Sequence, residues 1–296
     1  MSASFTESTG STVPALPAPA SETRQTPGRP ASSSLLAAVF WLAVYALARR
    51  ELTRFFRQRT RIIGALGQPV VFWMLFGTGL RGSFRPPDWA PTLSYAEYFF
   101  PGVMVMILLF TAIFSTISII EDRREGFLQG VLAAPIPRLA IVLGKVLGGA
   151  TLALLQVSLF LCLAPLGGVS IPLTALPALI PFLFLGGIAL TSLGFLIAWP
   201  MNSTQGFHAI MSIVLMPMWL LSGAFFPAEG AGPLAWVIRA NPMTYLVAGT
   251  RRLLGQGVGL APTLDFPPFW ASLAITVAFA ALCLGISVRL ANRRRL

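Results

Sequence analysis

The stretch Ile119-Ile-Glu-Asp-Arg-Arg-Glu-Gly-Phe-Leu-Gln-Gly-Val-Leu-Ala-Ala-Pro-Ile-Pro-Arg138 is a short charged island between two long apolar runs. Glu121, Asp122, Arg123, Arg124 and Glu125 stand together in a chain that has only 10 acidic residues, so the island concentrates charge where the rest of the sequence avoids it. After it, Phe127, Leu128, Val131 and Leu132 recur at helical spacing, which predicts a short amphipathic helix with one apolar face. Pro135 and Pro137 end that helix, because proline has no amide hydrogen to continue it. The next apolar run begins at about Leu139 and carries Gly144-Lys145.

Outward from the island, composition decides the class. The chain is 55% hydrophobic and 10% charged with a mean hydropathy of +0.76, whereas an ordinary soluble domain is roughly 25% charged. The sequence therefore predicts an all-α integral membrane protein. Its net charge of +11 would suggest nucleic acid on a soluble domain, but the arginines cluster at the ends of apolar runs and read as topology signals. No nucleic-acid partner is expected. Cys162 and Cys283 both lie inside apolar runs and His208 is the only histidine, too few ligands for a metal site and no basis for a disulfide framework. Both cysteines are expected to be packing residues, and no cofactor is expected.

Six apolar segments, at about 62–80, 98–120, 139–163, 176–199, 207–226 and 268–290, are each long enough to cross a bilayer. An even number of crossings puts both termini on one side. With the N-terminus, the 121–138 island and the C-terminus in the cytoplasm, only Arg81, Arg85, Arg239, Arg251 and Arg252 of the basic residues fall outside, as the positive-inside tendency requires. The expected location is the cell inner (plasma) membrane, multi-pass, with surrounding lipid. Residues 1–34, rich in Ser, Thr, Pro and Ala, predict a disordered tail. Residues 35–60 combine a run too short to span with Arg49, Arg50, Arg54 and Arg57, and predict an amphipathic helix along the inner interface, with Leu52, Phe55 and Phe56 turned inward. A cleaved signal peptide fits less well, because export would carry those arginines outside.

Within the spans, Gln68-Pro69 interrupts the first. Gly144, Gly148 and Gly149 in the third, with Gly186 and Gly187 in the fourth, predict close helix approach. Gly223, Pro227, Pro233 and Pro242 break the region after the fifth span too often for a crossing, and its apolar content is too high for a free loop. Residues 227–257 are expected to fold back into the outer leaflet as two short helices. The second would run from about Pro242 to Leu254 with Asn241 as N-cap, and its Arg251 and Arg252 would stay at the headgroups. Trp219 and Trp236 are expected as interfacial anchors.

Two parts of the chain carry a specific resemblance. Glu-basic-basic-Glu-Gly, a Leu-rich turn, Ala134-Pro135-x-x-Arg138 and Leu143-Gly144-Lys145 resemble the segment after the second membrane helix in type-2 ABC exporter permeases. Pro217-x-x-x-Leu221-Ser222-Gly223-x-x-x-Pro227, then Asn241-Pro242-x-x-Tyr245 and Arg251, is similar to a second pattern of that family. The resemblance covers roughly residues 49–290. It implies a permease domain over 61–296 and a coupling helix that docks on a separate ATP-hydrolysing subunit, through Glu121, Asp122, Arg123, Arg124, Glu125, Gly126, Leu128 and Leu132. The folded-back region that carries this pattern is expected to form an outer gate, at Pro227, Asn241, Pro242, Tyr245 and Arg251. Two permease subunits, identical or different, would pair with two ATPases to export a hydrophobic or amphipathic drug, lipid or glycan.

The chain holds no Gly-x-x-x-x-Gly-Lys-Ser/Thr phosphate loop, so ATP hydrolysis is expected in the partner and the chain itself is not expected to be an enzyme. The middles of the spans carry no acidic residue, which argues against an ion-driven mechanism. The alternative from another class is a carrier or channel that needs no ATPase.

Overall fold

A computed structural model describes residues 33–57, 59–79, 94–225, 232–256 and 267–293. The predicted tail at 1–34 falls almost wholly outside these residues, as do Pro227, Arg81 and Arg85. The described chain is helical: α1 (Ser33–Arg57), α2 (Arg59–Gly79), α3 (Tyr95–Ser115), α4 (Ile117–Arg124), α5 (Phe127–Ala133), α6 (Arg138–Leu161), α7 (Leu176–Ala198), α8 (Thr204–Trp219), α9 (Leu234–Ala240), α10 (Pro242–Leu253) and α11 (Phe269–Arg293). No strand occurs among the described residues, and five helical stretches are long and apolar enough to cross a membrane: Tyr95–Arg124, Arg138–Leu161, Leu173–Ala198, Thr204–Ala224 and Phe269–Arg293. The protein is thus an all-α integral membrane protein. The first predicted span corresponds to α2, which is not among those five; it runs unbroken through Pro69.

The centre of the bundle is α3. It starts at a capping box that the sequence Ser94-Tyr-Ala-Glu97 encodes: the Ser94 hydroxyl accepts from the Glu97 amide at 3.2 Å and the Glu97 carboxylate accepts from the Ser94 amide at 2.8 Å. With α4 it forms a nearly continuous rod of 30 residues, about 45 Å long, against a hydrocarbon thickness of about 30 Å. The charged end of α4 can therefore lie beyond the apolar layer while the rest stays within it. Small residues let α6 pack against its neighbours on several sides. A Cβ on Gly144 would sit 2.6 Å from Leu47 Cβ of α1, and one on Gly149 would strike Ser115 and Thr191 of α3 and α7. Gly187 of α7 meets the Ala150 backbone in the same way, at 3.3 Å.

Several expectations about individual side chains change in three dimensions. Trp219 is 1% exposed and donates from Nε1 to the Gly102 carbonyl at 2.9 Å, so it is a core residue and no interfacial anchor; Trp236 is 73% exposed. Cys283 is buried but Cys162, at the end of α6, is exposed. Phe55 is buried on α1, while Phe56 points away and is exposed.

Candidate functional site

At the end of the bundle where α4 meets α5, the charged island turns Asp122 inward and leaves Arg124 and Glu125 on the surface. Asp122 is 0% exposed. Its Oδ1 accepts from Arg50 at 2.7 Å and Arg54 at 3.1 Å, and its Oδ2 from Arg50 at 2.9 Å and Lys145 at 2.5 Å. Lys145 Nζ also bonds Glu51 at 2.5 Å and Ser118 at 3.1 Å, and Arg54 pairs with Glu121 at 2.7 Å. Three carboxylates and three cations from α1, α4 and α6 thus neutralise one another where neither sign could be left unpaired without a large desolvation penalty. Arg123 and Arg124 face the other way. Arg123 donates to the Trp199 and Met201 carbonyls at 2.6 and 2.7 Å and Arg124 to the Asn202 carbonyl at 3.0 Å, capping the C-terminal end of α7 with positive charge.

The turn into α5 depends on Gly126, at φ 77°, a left-handed conformation in which glycine ends α4 without steric cost. Leu128 then anchors α5 in the core, Arg50 lies 3.7 Å over the Phe127 ring, and Leu132 is half-buried against the core. What remains on the surface is Arg124, Glu125, Phe127, Gln129, Gly130 and Ala133. Of the residues expected to act at a coupling surface, Asp122 and Leu128 hold the segment in place, and only Arg124 and Glu125 are exposed.

At the opposite end, the two predicted outer helices are α9 and α10. The 220–224 stretch after α8 is a π-helical turn with non-helical backbone at Leu221 and Gly223, which strands several carbonyls. Asn241 Nδ2 donates to Met218 at 2.5 Å and Leu221 at 3.1 Å, while its Oδ1 accepts from the Met243 amide at 3.0 Å as the N-cap of α10. Arg251 Nη2 donates to Gly223 at 2.8 Å, with the guanidinium 4.3 Å over Tyr98. Arg251 is therefore 1% exposed and does not reach for headgroups; Arg252 bonds the Pro267 carbonyl at 2.9 Å. Tyr245 donates to the Arg239 carbonyl at 3.0 Å, and Pro242 fills the first turn of α10, where a missing amide hydrogen costs nothing. The same economy recurs at Pro101 in α3: the Glu97 carbonyl it leaves free accepts from Gln256 Nε2 at 2.7 Å.

Sequence reading missed Glu51 and the inward roles of Arg50, Arg54 and Lys145. One signal was available: Glu51 is the only acidic residue between Glu22 and Asp88, and a lone acid among arginines and apolar residues needs a partner.

A bundle of apolar helices, with a short amphipathic helix clamped at one end and two short helices packed on a broken span at the other, is the architecture of a multi-pass membrane protein. The family model described as ABC-2 type transporter matches residues 42–254, and the chain belongs to that family. The ycf38 protein of Cyanophora paradoxa, a transport permease by name, is 26% identical over 226 residues, which cover 75% of this chain and 77% of the relative. The inner membrane transport permease YhhJ of Escherichia coli strain K12 is 25% identical over 190 residues, 62% of this chain and 50% of YhhJ. Nodulation protein J of Rhizobium leguminosarum bv. viciae is 29% identical over 191 residues, 64% of this chain and 71% of the relative.

Proposed function

We propose that the chain is the membrane subunit of an ATP-driven exporter and that α5 with the turn before it is the element on which a separate ATPase subunit docks. The observation that carries this reading is the asymmetry of the α4–α5 corner: an exposed outer edge at Arg124, Glu125 and Gln129 sits on a corner tied to α1, α6 and α7 by buried charges. A displacement of α5 would be passed to the membrane helices, because interfaces of this density move as packed units. Two copies of the chain, paired with each other or with a related subunit, would enclose the pathway. Both termini would be cytoplasmic, with α1 along the inner interface. α9 and α10 would cap the exit as the outer gate, with Asn241, Pro242, Tyr245 and Arg251 holding them in place.

Glu125→Lys and Gln129→Trp alter only exposed side chains, so the test is whether they abolish transport-linked ATP hydrolysis by the complex while insertion and yield of the chain stay normal. Normal coupling in both variants would remove α5 as the docking element. One observation favours the carrier alternative: Glu51, Asp122 and Lys145 are ionisable groups buried against membrane helices, as in ion-driven transporters. Export by the chain reconstituted without an ATPase, driven by a proton gradient, would establish that reading instead.

A further inference from the structure

Between α1, α2, α3, α6 and α8 lies a cavity of about 550 Å³, within the range of sites that bury a drug-sized ligand. Its walls are largely apolar, with Phe55, Met106, Phe110 and Leu152 among them. Along α3 and α4 it extends from Met106 to Ser118, about 18 Å of helix. The charged groups at its Ser118 end are already engaged: Glu51 with Lys145 at 2.5 Å, and Arg54 with Glu121 at 2.7 Å and Asp122 at 3.1 Å. Ser212 on the α8 wall donates to its own helix, at the His208 carbonyl, 3.0 Å away.

Gln156 is different. It lines the cavity from α6, is 0% exposed, and has one end of its carboxamide bonded to the Thr111 hydroxyl. The other end, Nε2, has no partner among the described residues. The hydroxyl can donate to the amide oxygen or accept from the amide nitrogen, so turning the carboxamide over only exchanges which end is left unbonded. A buried amide in that state is stabilised by any ligand that completes its hydrogen bonding.

We infer that this cavity is a binding site for an uncharged amphiphile, an apolar body carrying a neutral hydroxyl or carbonyl group that hydrogen-bonds Gln156. Among the described residues a charged head would find no free counter-ion there and would have to break the Glu51–Lys145 or Arg54–Asp122 pair to gain one. The inference deepens the exporter reading by naming the class of cargo, but the binding it claims does not depend on an ATPase.

The experiment uses the full-length chain in phosphatidylcholine vesicles without any ATPase, and as probe a diazirine analogue of hexadecanol, photolysed and mapped by peptide mass spectrometry. Saturable labelling is expected on α3 and α6 peptides, reduced about fivefold in Gln156→Leu, the value of one hydrogen bond, and lost in Ser212→Trp, which places bulk in the cavity from an exposed position. Unlabelled hexadecanol should compete at least tenfold better than hexadecyl sulfate or hexadecyltrimethylammonium. Labelling confined to lipid-facing peptides, unchanged by Ser212→Trp, would overturn the site; equal competition by the charged compounds would overturn its selectivity. If Gln156→Leu does not assemble, the tryptophan variant and the headgroup series decide the matter alone. Because no ATPase is present, failure here leaves the coupling test on α5 untouched, and failure there leaves this one untouched.

Discussion

Lys145 Nζ and Asp122 Oδ2 are 2.5 Å apart at the junction of α6 and α4, with exposures of 4% and 0%. Both are buried, and each is also bonded to α1: Lys145 through Glu51 and Asp122 through Arg50 and Arg54. α1 is thus held by charge at the same level where Gly144 and Gly148 bring its backbone close to α6. The expected result for Asp122→Asn is a loss of about 3–5 kcal/mol, since it leaves buried cations uncompensated. Lys145→Met should cost a similar amount, and the double variant less than the sum. Thermal unfolding in detergent checks this; strict additivity would mean the pair is not coupled.

Asn241 has two separable jobs, and Asn241→Asp distinguishes them. Aspartate still accepts from the Met243 amide but cannot donate to Met218 and Leu221, and it brings a charge against carbonyl oxygens. If filling the broken turn matters more than capping α10, Asn241→Asp should be at least as damaging as Asn241→Ala, each by about 1–3 kcal/mol. A near-normal melting temperature for the aspartate variant would assign the residue to capping alone.

The turn at Gly126 should respond to backbone conformation and not to space. A Cβ there meets nothing within 4 Å, yet φ is 77°, so Gly126→Ala is expected to cost about 1 kcal/mol through the left-handed conformation alone. Gly126→Asn, which tolerates that region better, should recover part of the loss. Equal stability of the alanine and glycine proteins would show that α5 can rotate at this turn without penalty.

Orientation is open to a labelling test. With Cys162 and Cys283 replaced, a cysteine at Trp236 should react with an impermeant maleimide on intact cells, and one at Gln129 only after permeabilisation. The opposite pattern would invert the proposed topology.

The sequence by itself determined the class of this protein and the positions of its helices. Long uncharged apolar runs can satisfy their backbone in a membrane only as helices, so the segments at 98–120, 139–163, 176–199, 207–226 and 268–290 reappear as α3–α4, α6, α7, α8 and α11. Local chemistry also carried the start of α10, because an Asn-Pro pair sets a helix N-terminus with no help from elsewhere. What the tertiary structure alone decided is which charged and polar side chains look inward. Arg251 resembles a surface arginine in sequence, but it is drawn into the core because the break at Gly223 leaves a carbonyl that nothing nearer in the chain can satisfy. Trp219 is drawn in by the Gly102 carbonyl, 117 positions away. Arg50 and Arg54 read as headgroup ligands until Asp122, roughly 70 positions further on, is brought beside them. Burying a polar group is favourable only when its partner is buried with it, and partners that distant along the chain are joined by packing, which no local pattern of residues records.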